Sequence, residues 1–258
     1  MMRFAFATVL ILAPLGACAP EAEEASNSPA ENGPTAENTA THNALSAEEV
    51  AAGWELLFNG TSTEGWRGYG RDDFPTGGWT VEGGELVGLS TTGDMDGGDI
   101  VTVGQYSDFE LIFDFKLGPA TNSGVFYRVQ EREGATLWEV APEYQVLDDT
   151  AYFAPDAEEG RTHRTGDNYD LHEASTRPTR GLGEWNTGRI VVDGARVEHW
   201  LNGELTVSYE YDTDEWDSLV ANSKFDPEVY AQAPRGSIGL QDHGTPVSYR
   251  NIKIRPIR

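Results

Sequence analysis

DFELIFDFKL, residues 108 to 117, decides the fold. Phe109, Leu111, Phe113, Phe115 and Leu117 fall on every second position, while Glu110, Asp114 and Lys116 are among the residues between them, the pattern of a strand buried on one face. Similar segments follow one another from Gly53 onward. Short turns separate them: Gly83-Gly84 between WTVE and ELVG, Asp193-Gly194 between RIVV and ARVEHWL, and Asn202-Gly203 between EHWL and ELTVSYEY, each a hairpin signal. No helical period is sustained. Only Ser46 to Ala52, with Ser46 and Glu49 at capping-box spacing, and Asp214 to Ala221 read as helices. The pattern predicts an all-β domain, a sandwich of two antiparallel sheets.

Two strand-like segments carry polar residues where a purely structural strand would not need them. In EYQVLD, Tyr144 and Val146 face one way and Glu143 and Gln145 the other. In GSIGLQDHG, Ile238 and Leu240 face the core, with Gly239, Gln241 and His243 opposite, the glycine leaving room for something to approach. Both suit a groove across a sheet. Residues 149–182 and 211–235 are too long and polar for simple turns and are expected at the groove's rim.

Residues 1–17 read as an export signal: Arg3, an apolar run from Phe4 to Leu15, then Gly16 and Ala17. The run is too short for a stable membrane-spanning helix. Leu15-Gly16-Ala17-Cys18 resembles a bacterial lipobox, which implies lipidation at Cys18. Ala19, where an aspartate would retain the protein at the inner membrane, implies the outer membrane, facing the periplasm or the cell surface. Cys18 is the sole cysteine, so no disulfide is available to the domain. Residues 18–47, poor in large apolar side chains, are expected to be a flexible tether, and 48–258 one domain. The net charge of −25 disfavours nucleic acid and anionic membrane surfaces, leaving the lipid as the membrane contact. A neutral ligand such as a sugar is compatible.

Glu143-x-Gln145-x-x-Asp148 resembles the Glu-x-Asp-x-x-Glu strand of laminarinase-type glycosidases, in which two carboxyls share one face; here the middle acid is an amide and the last is shortened. His243, between Asp242 and Gly244, is a candidate proton acceptor. His199 shares a face with Val197 and Leu201 and is expected to be packed and hydrogen-bonded; His163 and His172, in the long loop, are expected to be exposed. Arg128 ends NSGVFYR on the face of Asn122, Gly124 and Phe126, where a guanidinium could meet a sugar oxygen or an oxyanion. Trp66, Trp79, Trp138 and Trp185 are core residues or sugar-stacking platforms. No compact His/Asp/Glu spacing supports a metal, and no cofactor is called for.

Taken in order, WELLFNG with the GW pair (54–66), W-x-V-x-x-G-x-L (79–86), YSDFEL (106–111), NSGVFYR (122–128), EYQVLD (143–148), GEWN (183–186), VEHWLNG (197–203), SKF (223–225) and LQDHG with YRNIKI (240–254) resemble the 3-keto-disaccharide hydrolase domain family. TGDNYDLH at 165–172 departs from the family's more apolar TGALY, with Tyr169 retained. The resemblance implies a concanavalin A-like jelly roll acting on glycosides oxidised at C3. A C3 ketone acidifies the C2 hydrogen and makes the C1 oxygen a leaving group, so cleavage can run by elimination and hydration. Under it His243 or Glu143 is the base, Arg128 and Lys224 steady the enolate, and Asp148 or Asp242 assists the leaving group. Gln145, Asn122, Trp185, Tyr169 and Gln241 would hold the sugar. A sugar 3-dehydrogenase would supply the substrate. The competing readings are a carbohydrate-binding module and a laminarinase-like endoglucanase.

Overall fold

The computed structural model describes residues 42–90, 97–155 and 157–257. The signal segment, Cys18 and most of the expected tether lie outside them. The larger of two antiparallel sheets contains β1 (Glu55–Leu56), β3 (Trp79–Glu82), β4 (Glu85–Gly88), β6 (Phe109–Leu117), β9 (Trp185–Asp193), β10 (Arg196–Leu201), β11 (Glu204–Glu210) and β13 (Val247–Pro256). Its order is β11-β10-β9-β6-β13-β4-β3, with β1 also on β13. The smaller sheet runs β2-β5-β12-β7-β8, from β2 (Trp66–Gly68), β5 (Ile100–Thr102), β7 (Asn122–Val129), β8 (Glu143–Leu147) and β12 (Ser237–Leu240). Together they form a jelly-roll sandwich.

Alternation explains the packing. The four aromatic and aliphatic residues Phe109, Leu111, Phe113 and Phe115 of β6 are fully buried, in one core with Val125 and Tyr127 of β7, Tyr144 and Val146 of β8, and Ile238 and Leu240 of β12. Each such side chain contributes roughly 1.5 to 3 kcal/mol on burial. Gly83-Gly84 and Asn202-Gly203 both have positive φ at each residue, the geometry of a two-residue hairpin whose twist matches its strands. The third hairpin turns one residue later than expected: Asp193 is the last strand residue, paired with Arg196, and Gly194-Ala195 make the turn.

Both predicted helices form, as α1 (Ala47–Ala51), with the Ser46/Glu49 capping box, and α4 (Asp214–Asn222), capped by Thr213. Two single turns were not foreseen: α2 (Leu137–Val140) and α3 (Asp149–Tyr152). The ordered domain begins before residue 48. Asn43 exchanges two hydrogen bonds with Asn251 of β13 (2.7 and 2.8 Å) and donates to the Gly84 carbonyl (2.8 Å), so residues 43–47 belong to the domain rather than to a tether.

Two features prepare the groove. On the outer face of the smaller sheet, α2 sits over a second apolar cluster of Val101, Phe126, Val129, Leu137, Val140 and Ala141, covering one end of that face and leaving the rest open. The outer edge of β8 is sealed by the long loop. Gly166 donates to the Gln145 carbonyl, Gln145 to Asp167 and Tyr169 to Glu143, and the Thr165 hydroxyl bonds both backbone groups of Leu147. Residues 165–169 thus stand in for a strand.

Candidate functional site

Register sets the order of side chains on the open face. Gln145 of β8 lies opposite Gly124 of β7; Gln241, whose N–H bonds the Gly124 carbonyl, follows β12; and Asp99 precedes β5. Glu143, one step toward α2, pairs with Phe126, and Leu147 and Asn122 pair at the other end. These residues floor a groove of about 560 Å³. Thr136 and Trp138 of the α2 segment, Tyr169 and His163 of the long loop, Lys224, Tyr152, Phe153, Asp242 and His243 complete it. Both long segments therefore supply the rim, as expected.

Glu143 is 3% exposed, and its carboxyl makes no hydrogen bond to another described residue. Burial pushes its pKa well above the usual carboxylate range, Asp99 adds to the rise, and Lys224 opposes it. Asp99 is pushed up to about 6 by burial and by nearby Asp242, although the Asp242 N–H at 2.9 Å works the other way. Glu143 has room only because residue 124 is glycine: a Cβ there would fall 2.6 Å from its carboxyl carbon. Gly239 does not provide the space expected of it, because Leu137 of α2 packs against it.

Two amides flank the Gly124 gap. The Gln145 Nε2 donates to Asn122 Oδ1 and to the Ser123 carbonyl, both at 3.2 Å, which aims its carbonyl oxygen elsewhere. That oxygen and the Gln241 Oε1 are buried without a partner among the described residues, and so await donors such as sugar hydroxyls. The Lys224 ammonium donates to Tyr169 Oη at 2.7 Å and lies 4.3 Å and 4.8 Å from the ring centres of Tyr169 and Trp138. It is a fixed cation at the groove wall. The Asp242 carboxylate accepts from the Gly98 and Gly244 N–H groups and so holds the loop that presents exposed His243.

Three expected site residues lie elsewhere. The face count failed at Arg128 because β7 bulges: two residues, Tyr127 and Arg128, oppose Ile238, and Arg128 takes a φ of 54°. Its guanidinium bonds the Ser107 and Gly194 carbonyls and Asp108, in a separate cavity of about 700 Å³ beneath the 211–234 segment. Asp148 is buried behind the groove, accepting from Ala120 N–H and Thr150 Oγ1, so Glu143 and Asp148 are not the paired carboxyls of a laminarinase. Trp185 lies on the larger sheet, with Arg250 3.9 Å and Lys116 4.7 Å from its ring centre.

Glu143, Gln145, Asn122, Tyr169, Lys224, Gln241, Asp242 and His243 do converge, and of Trp66, Trp79, Trp138 and Trp185 it is Trp138 that reaches the groove. Trp66 and Trp79 are core. His199 is buried as expected, with Nε2 2.8 Å from the Tyr127 hydroxyl. Neither loop histidine is freely exposed: His163 binds Asp170 at 2.9 Å and His172 stacks on Tyr209. Asp99 was missed; in Gly-Gly-Asp before a three-residue strand it reads as a turn residue. Among the described residues no cluster of three His, Cys, Asp or Glu side chains has metal-binding geometry.

A jelly-roll sandwich whose smaller sheet carries a groove floored by acids and amides is the architecture of a carbohydrate-active protein, and its relatives narrow this to hydrolases of glycosidic bonds. The chain belongs to the family of 3-keto-alpha-glucoside-1,2-lyase-like domains, which it matches over residues 53–255. It is 34% identical over 231 residues to a 3-keto-disaccharide hydrolase of Bacteroides thetaiotaomicron, covering 80% of this chain and 79% of that protein. A crystal structure of a provisionally named glycosyl hydrolase from Parabacteroides distasonis superposes with a TM-score of 0.74 at 35% identity, over 84% of this chain and all of the other. A second protein from that organism, 24% identical with a TM-score of 0.61 over 79% of this chain and 99% of its own, shares the fold.

Proposed function

We propose that the chain cleaves glycosides oxidised at C3, by elimination across C1 and C2 followed by hydration. The observation that carries this reading is Glu143: a carboxyl buried in the same groove as Lys224, without a hydrogen bond to another described residue, its pKa raised by burial. An elimination needs just such a proton donor beside a fixed positive charge. His243 takes the C2 proton, and its electrons pass to the C3 carbonyl oxygen, where Lys224 offsets the developing enolate charge. The enolate collapses to form the C1–C2 double bond, the C1–oxygen bond breaks, and Glu143 protonates the departing alcohol. Water then adds to the enone: the Glu143 carboxylate removes a proton as the oxygen joins C1, and His243 returns its proton to C2. Gln145, Gln241 and Asn122 orient the ring through its hydroxyls, and burial together with the Asp99 charge raises the pKa of Glu143, which favours its role as the acid.

Within this reading the chain is exported and anchored at the outer membrane through Cys18, where a sugar 3-dehydrogenase supplies the ketone; the motif at residues 15–18 supports the anchor. The test is to incubate the domain with a 3-keto-disaccharide and with its unoxidised parent, following free sugar and the ultraviolet absorbance of an enone. Cleavage of the oxidised sugar alone is expected, with Glu143→Gln and His243→Ala each slowing it by roughly 100-fold or more. Unchanged turnover in both variants would refute the assignment. Glu143 and Asp99 both line the groove, and cleavage of the parent sugar would favour an ordinary glycosidase reading instead.

A further inference from the structure

The Arg128 cavity shares no lining residue with the groove, and the chemistry above leaves it idle. At about 700 Å³ it has room for a disaccharide. Arg128 is 9% exposed and held firmly: Nε donates to the Ser107 carbonyl at 3.1 Å, and Nη2 to the Gly194 carbonyl at 2.9 Å and to Asp108 at 3.3 Å. The Tyr211 ring backs the guanidinium, its centre 5.4 Å from Cζ. Nη1 carries no hydrogen bond to another described residue, so a fixed and nearly buried guanidinium still has donors to offer a ligand.

The wall contributed by the 211–234 segment is fixed as well. Trp216 of α4 stacks on Tyr209 and Tyr230, with ring planes 6° and 18° apart. The Ala231 N–H bonds the Val140 carbonyl at 3.0 Å, and the Gln232 side chain donates to the Pro227 carbonyl at 2.8 Å. A cavity with walls tied in this way loses little conformational freedom on filling. Arg128 and Ala231 also hold left-handed backbone, at φ 54° and 56°, a conformation that neither side chain favours. Strain of this kind persists where the shape it produces is used.

Charge selects the ligand. The cavity sets the Arg128 cation against three carboxylates, Asp108, Asp212 and Asp217, so an anion is repelled on balance and a cation meets the guanidinium. A neutral polyhydroxylated molecule suits both signs. Its oxygens accept from Arg128 Nη1 and its hydroxyls donate to the aspartates, while Val220, Pro227 and Ala233 offer apolar surface to its C–H faces. We propose that this cavity is a second carbohydrate site, which holds an unoxidised neutral sugar apart from the catalytic groove. Its ligand does not depend on what the groove cleaves.

The test is protein-observed NMR, with isotope-labelled protein titrated with maltose, cellobiose and trehalose, and with glucuronate as the anionic probe. The amide signals of Gly194, Ala195, Ala231 and Ala233 should shift saturably with at least one of the disaccharides, separately from those of Gln145 and Gln241 in the groove. Arg128→Lys keeps the charge but loses the forked donor, and Ala221→Trp fills the cavity from an exposed position on α4. Each should weaken binding at the four amides by roughly tenfold. A loss in either variant, with the rest of the spectrum as in wild type, supports the site, and affinity unchanged in both overturns it. A response confined to the groove amides, a response to glucuronate alone, or no saturable shift with any of the three sugars overturns it too.

Discussion

Replacing Gly124 with alanine should silence the protein while leaving it folded. The residue sits mid-strand in β7 with no positive φ, so the backbone accepts a Cβ, and the chain loses a little unfolded-state entropy in exchange. The new methyl carbon would lie 2.6 Å from the Glu143 carboxyl carbon and 2.7 Å from its Cγ, against the 3.4 Å at which ordinary contact begins. The glutamate is the flexible partner and must give way, moving its carboxyl by roughly 1 Å, a displacement that can cost about 100-fold in rate. Melting temperature should stay within a few degrees of wild type, since no buried hydrogen bond is broken. The assay is release of sugar from a 3-keto-disaccharide, with thermal unfolding measured on the same preparation. A Gly124→Ala protein with normal melting and activity within twofold of wild type would show that the Glu143 carboxyl does not need its observed position, and the proposed chemistry would fall with it.

Arg128→Met should lower stability by about 2 kcal/mol, because two backbone carbonyls and Asp108 lose their donor, while kcat/KM on the same substrate stays at the wild-type value. Lys224→Met should lower kcat far more than it raises KM, since a cation facing the enolate acts in the transition state; an effect confined to KM would assign it to binding alone. Asp99→Asn tests the electrostatics through stability against pH. The folded pKa of Asp99 lies above its unfolded value, so its contribution is fully present below about pH 4 and is lost as pH rises through about 6. The variant should match wild type in urea unfolding at pH 4 and exceed it by on the order of 2 kcal/mol at pH 7.5. With the Asp99 charge gone, Glu143 should also titrate at lower pH, moving the alkaline limb of the rate profile down.

Alternation was the legible signal, and it held wherever a strand stayed regular. The Phe109 to Leu117 pattern placed every inward residue of β6, and EYQVLD placed Glu143 and Gln145 on the outer face. Period-two counting cannot see a bulge, and one extra residue in β7 was enough to send Arg128 away from the groove and into the separate cavity. Asp148 looked like a continuation of β8, but the strand ends at Leu147 and the aspartate turns back to hold Ala120. Asp99 and Gly124 left no pattern to read. Their importance comes from sheet neighbours that are far away in sequence: Asp242 lies 143 residues from Asp99, and Glu143 is brought beside Gly124 by strand pairing. Local signals also missed α2 and α3, since single turns carry too few residues for a period to show.

The loop segment that closes the side of β8 has two duties at once. Residues 165–169 occupy hydrogen-bonding groups that would otherwise be open to another chain's strand, and the same residues carry Tyr169 into the groove. Evolution of substrate choice and protection against aggregation are therefore written into one stretch of backbone. A lineage that reshapes this wall to admit a different sugar risks a sticky, strand-recruiting edge. The α3 turn, which pairs with no strand edge, is the wall that can diversify without that hazard.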